Sequence, residues 1–155
     1  MKNLILELNL SQKLRIINCI ILFFVFIFCF FSHSAYSQDI SEKVSEGNRL
    51  IKEKKYEEAL KVLLDARGLD VKSPHPDTSL GILFLMKDDL AEAEKYFKSA
   101  EQKNPELVAV KYLLALLYEK KGDKENSVKY WSMLLKNTDF RDTAKKHIKY
   151  LEEMK

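Results

Sequence analysis

Cysteine is scarce in this chain, and its placement removes whole classes of function. The only two, Cys19 and Cys29, both lie within the first 37 residues. From residue 38 onward, disulfide scaffolds, thiol catalysis and cysteine metal sites are therefore excluded together. A small domain without disulfides must be held by its hydrophobic core. Glycine is scarce too: four in the whole chain leave no glycine-rich phosphate loop. No serine stands in a nucleophile-elbow context. Beyond residue 37 the histidines are His75, between two prolines, and His147, among lysines. Neither has a His, Cys or acidic residue at metal-ligand spacing. Charge of one sign is also missing: the same stretch holds 23 basic and 22 acidic residues, a net of +1, with no basic field for nucleic acid. The Asp88-Asp89, Lys54-Lys55 and Lys120-Lys121 pairs fall between helices and read as solvated turns. These absences point away from an enzyme and imply no cofactor and no metal.

One long uncharged run is present. It extends from Ile16 to Phe31, with Lys2, Lys13 and Arg15 before it and Ser34-Ala35-Tyr36-Ser37-Gln38 after it. A basic start, an apolar middle and a small-x-small site make a secretory signal, here residues 1–37 with cleavage before Gln38. The run falls short of the ~20 residues of a full span, and an uncleaved signal anchor is the alternative. Either version places the remainder outside the cytoplasm, in the periplasm of a bacterium with an envelope, free or membrane-anchored. A lipoprotein signal is disfavoured, because Phe28 precedes Cys29 and Asn18 precedes Cys19.

The rest of the chain repeats. Gly47–Ala66, Gly81–Ala100 and Ala115–Leu134 align without gaps. Ala59, Ala93 and Ser127 stand 34 residues apart, as do Leu63, Phe97 and Trp131, and Leu50, Phe84 and Tyr118. A fixed period of this length marks a stack of supersecondary units. The apolar spacing within each unit is helical. Gly68 reads as a helix stop, Asn104-Pro105-Glu106 as a helix start, and Asp39 with Glu42 as a capping box. Gly122-Asp123 turns the chain inside the third pair. Phe140, Ala144, Ile148 and Leu151 make one face of a further helix with a polar outer side, which reads as a cap on the stack, the alternative being a detachable or partner-binding helix.

Gly81, Phe84, Ala93, Phe97, Ala100 and Pro105, with Tyr56-Glu57-Glu58-Ala59 in the first unit, resemble the tetratricopeptide repeat family. The resemblance implies an all-α fold: a right-handed superhelical stack of three antiparallel helix pairs in a domain over 38–155. The repeats are expected at about 40–73, 74–107 and 108–139, with a C-terminal capping helix at about 140–154. The first and third units depart from the pattern as stack ends do. Glu46 stands where Leu80 and Leu114 stand, Val71 replaces the closing proline, and Ser127 and Leu134 replace small residues. Trp131 and Leu134 are expected to fill the looser third pair.

The resemblance also implies a concave groove lined by the first helix of each pair. In register, its candidates are Ser41, Val44, Asn48, Ile51 and Lys52; His75, Thr78, Ile82, Leu85 and Met86; Ala109, Tyr112, Leu116, Glu119 and Lys120. The binding set expected to matter is Asn48, Lys52, Ile82, Met86, Tyr112, Leu116 and Lys120, an apolar centre with polar edges. Leu85 and Leu116 carry two readings, core or groove. A family variant clamps a terminal carboxylate with Lys, Arg and Asn. Only Asn48 matches it; Val44, Ser79, Ala109 and Leu113 occupy the other positions. The expected partner is an extended apolar peptide or a helix face, with Met and aromatic groups supplying adaptable area. Tyr112→Asp is expected to abolish capture without shifting the melting temperature. The alternative role is a self-associating or membrane-tethered subunit of an envelope assembly.

Overall fold

The computed structural model describes residues 10–154; the side chains of residues 10–13 and 28–38 lie outside that description. The regular elements of the described residues are helices: α1 (Leu10–Lys52), α2 (Tyr56–Leu69), α3 (His75–Met86), α4 (Leu90–Lys103), α5 (Val108–Lys120), α6 (Lys124–Leu134) and α7 (Arg141–Glu153). Two compact units divide between Ser41 and Glu42.

The first unit holds most of α1. Its side chains from Ile16 to Phe26 are exposed on every side of the helix, so this stretch has no polar face to set against a core-facing stripe. Among the described residues no helix is long and apolar enough to cross a membrane. The expected cleavage residues Ala35, Ser37 and Gln38, and Cys29, have side chains outside the described set. The expected helix start at Asp39 does not occur: the backbone is helical without a break from Leu10 to Lys52.

The second unit is built from pairs. The end of α1 packs on α2, α3 on α4, and α5 on α6, with α7 against α6. The pairs close through one repeated contact. A Cβ on Gly47 would stand 2.4 Å from Leu63, and one on Gly81 2.4 Å from Phe97. Glycine is required there by close approach. In the third pair Ala115 fills the same position against Trp131, and both are fully buried. Ser127 is buried beside them and its hydroxyl donates to the Ala115 carbonyl at 3.1 Å. Ile82 and Phe84 pack against both halves of the core and join them.

The turns inside the pairs repeat bond for bond. Lys54, Asp88 and Gly122 adopt φ of 61°, 64° and 73°. The next residue donates back to the helix end: Lys55 to Leu50, Asp89 to Phe84 and Asp123 to Tyr118, each at 2.9 Å. This is the Schellman stop, in which the left-handed residue is ordinarily glycine. The following helix starts on an N-cap carboxylate in two pairs, where Asp89 accepts from Glu92 N–H and Asp123 from Asn126 N–H. Lys55 makes no such bond.

Two expected punctuation marks are corrected. Gly68 lies inside α2, which continues to Leu69 and ends on Asp70; its backbone stays out of the left-handed region. Asn104 ends α4, and its side chain accepts from Glu106 N–H in a tight turn. α5 begins only after Leu107.

Polar links tie successive pairs. Asp77 on α3 is fully buried and bonded to Arg67 (2.6 Å), Lys103 (2.7 Å) and the Ser99 hydroxyl. One carboxylate thus joins α2, α3 and α4. Glu94 on α4 accepts from the Tyr118 hydroxyl of α5 at 2.6 Å and pairs with Lys121. The Lys121 ammonium first, then the Tyr118 hydroxyl, holds the Glu94 carboxyl below the usual carboxylate range. Burial first, then Glu94, pushes the Tyr118 phenol up.

The C-terminal helix keeps the register of the repeats. Buried Ala144 and Leu151 stand 34 residues after buried Val110 and Leu117. Phe140 and Ile148 pack on the same core. α7 is therefore placed as the first helix of a fourth pair. At the position of Gly47, Gly81 and Ala115 it carries Lys149, and beside it Glu152 and Glu153, all exposed. A polar outer side of this kind closes a stack.

Candidate functional site

The face expected to bind is presented by the end of α1, by α3 and by α5. On α1, Asn48 is half-buried and Lys52 exposed, and neither side chain has a partner among the described residues. An amide left unpaired at a partly exposed position can donate to and accept from a peptide backbone. On α3, Met86 is 56 % exposed. Ile82 is half-buried and Leu85 likewise, both seated against the core with one side open. Leu116 on α5 is in the same state. Lys120 is exposed and lies 2.8 Å from Asp88 in the preceding turn.

Four candidates serve other ends. Tyr112 is half-buried, its ring 5.5 Å edge-on from Trp131 and 5.1 Å from Phe140. It joins α5 to α6 and to the start of α7. A carboxylate introduced there would be pressed against two aromatic rings, so Tyr112→Asp should lower the melting temperature. The expectation of an unshifted melting point is corrected. Glu119 is committed as well. Its Oε2 accepts from Trp131 Nε1 at 3.2 Å and lies 2.9 Å from His147 Nδ1, while the His147 ring stacks on Trp131 at 4.2 Å. Ile51 is buried in the core. The Thr78 hydroxyl donates to the Pro74 carbonyl of its own helix.

The carboxylate-clamp positions carry no clamp chemistry. Val44 and Leu113 are half-buried apolar groups, Ser79 is buried, and Ala109 is exposed. His147, without a partner in sequence, meets Glu119 from 28 residues away. With Trp131 it fastens α7 to the third pair. Among the described residues no group of His, Cys, Asp and Glu could hold a metal ion.

The fourth step of the repeat register, on α7, also presents open side chains. Tyr150 and Met154 on α7 are 54 % and 49 % exposed. With Glu119, Gly122, Lys124 and Leu151 they line a cavity of about 440 Å³. Carrying the 34-residue register one step beyond Leu116 and Lys120 lands on both.

No protein-family model matches the sequence, and no curated protein sequence matches it. Among solved structures, the chain is similar to the first tetratricopeptide domain of Spaghetti (RPAP3) bound to the HSP90 peptide SRMEEVD. The two share 18 % identity and superpose with a TM-score of 0.69, over 76 % of this chain and 95 % of that one. What this likeness shows is the fold: the chain folds as a stack of tetratricopeptide-type helix pairs.

Proposed function

We propose that this chain is a non-catalytic adaptor, exported into a bacterial envelope, that holds a protein segment along the face made by the first helices of its pairs. The observation that carries this reading is the state of Asn48 and Met86: an unpartnered amide and a largely exposed thioether on a face otherwise floored by half-buried Ile82 and Leu116. A polar backbone reader beside adaptable apolar area suits an extended segment. The solved relative of the same fold holds a peptide, which supports binding of this class without defining the partner. The basic start, apolar run and small-x-small site of residues 1–37 support export.

The test is a photo-crosslinker at position 86 of the full-length chain in its native host, with position 64, exposed on α2, as control. Adducts of one protein from position 86 and none from position 64 support the adaptor. Equal adducts from both, or none from 86, count against it. Intact mass decides the leader: a start at Gln38 means cleavage. The all-round apolar exposure of α1 from Ile16 to Phe26 favours one further reading, a tethered subunit. Full-length mass in the membrane fraction would establish that version.

A further inference from the structure

We propose that the chain carries a small-ligand site between the ends of α2 and α4, and that it takes a free carboxylate bearing a short branched apolar group. The proposal is independent of the adaptor reading. Its walls come from the second helices of the first two pairs and the turn after α2, not from the first-helix face. Leu64, Arg67, Gly68, Val71 and Lys103 line a cavity of about 200 Å³ there. Gly68 keeps it open. A glycine in the last turn of a helix ordinarily serves a left-handed stop or a close approach. Gly68 serves neither: its backbone stays out of the left-handed region, and a Cβ built on it would meet nothing within 4 Å. Glycine weakens a helix more than any residue but proline. Here its structural consequence is the empty space beside it.

The walls define the ligand. Leu64 and Val71 are 42 % and 68 % exposed, two large apolar side chains left uncovered at the cavity. At the next seam, 34 residues on, Lys98, Gln102 and Pro105 stand where Leu64, Gly68 and Val71 stand here. Arg67 supplies the polar end. Its Nε donates to Asp77 at 2.6 Å, while its two terminal amino groups have no hydrogen bond among the described residues. Such a planar fork matches the two oxygens of a carboxylate. The lining contains two cations and no acid. Behind it, both Asp77 oxygens are taken, by Arg67, Lys103 and Ser99. Of the flanking acids, Asp65 pairs with Lys43 at 2.7 Å, and Asp70 accepts from Lys72 N–H at 2.9 Å without an ion pair to Arg67. Size supplies the rest. At about 30 Å³ for each water-sized group, the cavity holds roughly six or seven non-hydrogen atoms, the size of isovalerate.

The experiment titrates isovalerate into the isotope-labelled full-length protein and follows amide chemical shifts. Shifts should centre on residues 67–71 and on Lys103, and saturate with a Kd of about 1 mM, a range open to a ligand this small with one ionic contact. Isovaleramide, the same shape without the charge, should bind roughly tenfold more weakly. Gly68→Leu fills the cavity from a helix position with room for a side chain. It should abolish binding while the melting temperature holds or rises. Arg67→Lys keeps the charge but loses the fork, and should weaken binding roughly fivefold. Equal binding of amide and acid overturns the carboxylate assignment. No shifts, shifts spread evenly over the chain, or binding that survives Gly68→Leu overturn the site. A fall in melting temperature for Gly68→Leu would give the glycine a structural reason and remove the case for a cavity kept open. A peptide ending in leucine that binds tenfold tighter than isovalerate would assign the cavity to a chain end and overturn the free acid.

Discussion

Substituting Gly81 by alanine should destabilise the protein, although alanine is the better helix former. In the middle of α3 the exchange alone favours the helix by about 0.5–1 kcal/mol. The new Cβ, however, would stand 2.4 Å from both Cδ1 and Cε1 of Phe97 and 3.0 Å from its Cγ. Ordinary contact begins near 3.4 Å, so the ring must retreat by about 1 Å. Phe97 is fully buried, with the adjoining Ala93 and Ala100 buried as well, so it has little room to do so. Overpacking of this kind costs about 1–3 kcal/mol. The net is a loss of about 1 kcal/mol, a fall in melting temperature of roughly 4 °C for a unit of this size. Thermal unfolding followed by circular dichroism reads it directly. The cause is isolated by Gly81→Ala/Phe97→Leu, in which the smaller side chain relieves the clash, so the double variant should be less destabilised than the sum of the singles. A rise in melting temperature for Gly81→Ala, or strict additivity in the cycle, would refute the close-approach argument.

Substitutions at four other positions test further parts of the structure. Lys54→Gly should stabilise the chain by about 0.5–1 kcal/mol, since φ of 61° strains a lysine and suits glycine; Gly122→Ala at the equivalent turn should cost about 1 kcal/mol, and chemical denaturation should show the opposite signs. Asp77→Ala should cost about 3 kcal/mol, because it strips the shared carboxylate from Arg67 and from the mostly buried Lys103; urea unfolding should show a lower midpoint, with Asp77→Asn milder through its bond to Ser99. The depressed Glu94 carboxyl contributes stability that is present above the ordinary carboxylate pKa and lost as pH falls through the lower folded value. Glu94→Gln should accordingly lower the melting temperature at pH 7 and converge on the wild type in strong acid; a constant offset across pH would argue against the Lys121 and Tyr118 contacts.

The fold was legible because its evidence is periodic. Matching columns at one spacing, Gly47/Gly81/Ala115 against Leu63/Phe97/Trp131, state a packing rule three times; the structure brings Leu63 against Gly47 and Phe97 against Gly81, and buries Ala115 and Trp131 in one core. Single residues read one at a time were less secure. Gly68 looks like a stop, yet the helix runs past it to Leu69. The stops inside the pairs fall instead on Lys54, Asp88 and Gly122, only one of them glycine. Asp77 gave no local signal, because its partners lie 10, 22 and 26 residues away along the chain. The exposure of the candidate residues was legible in the first two helices, where Asn48, Lys52 and Met86 project without committed partners.

In the third helix Tyr112 and Glu119 have partners that the register did not announce, for a physical reason. Register assigns a direction to a side chain but cannot say what arrives to cover it. α7 docks on the third pair through Tyr112, Glu119 and Trp131, using two residues that the register had offered to a partner. The same docking sets Tyr150 and Met154 open at the next step. A helix that closes the hydrophobic stack therefore also covers part of the surface beside it, and side chains that stand open in an internal repeat become fastenings in the last one.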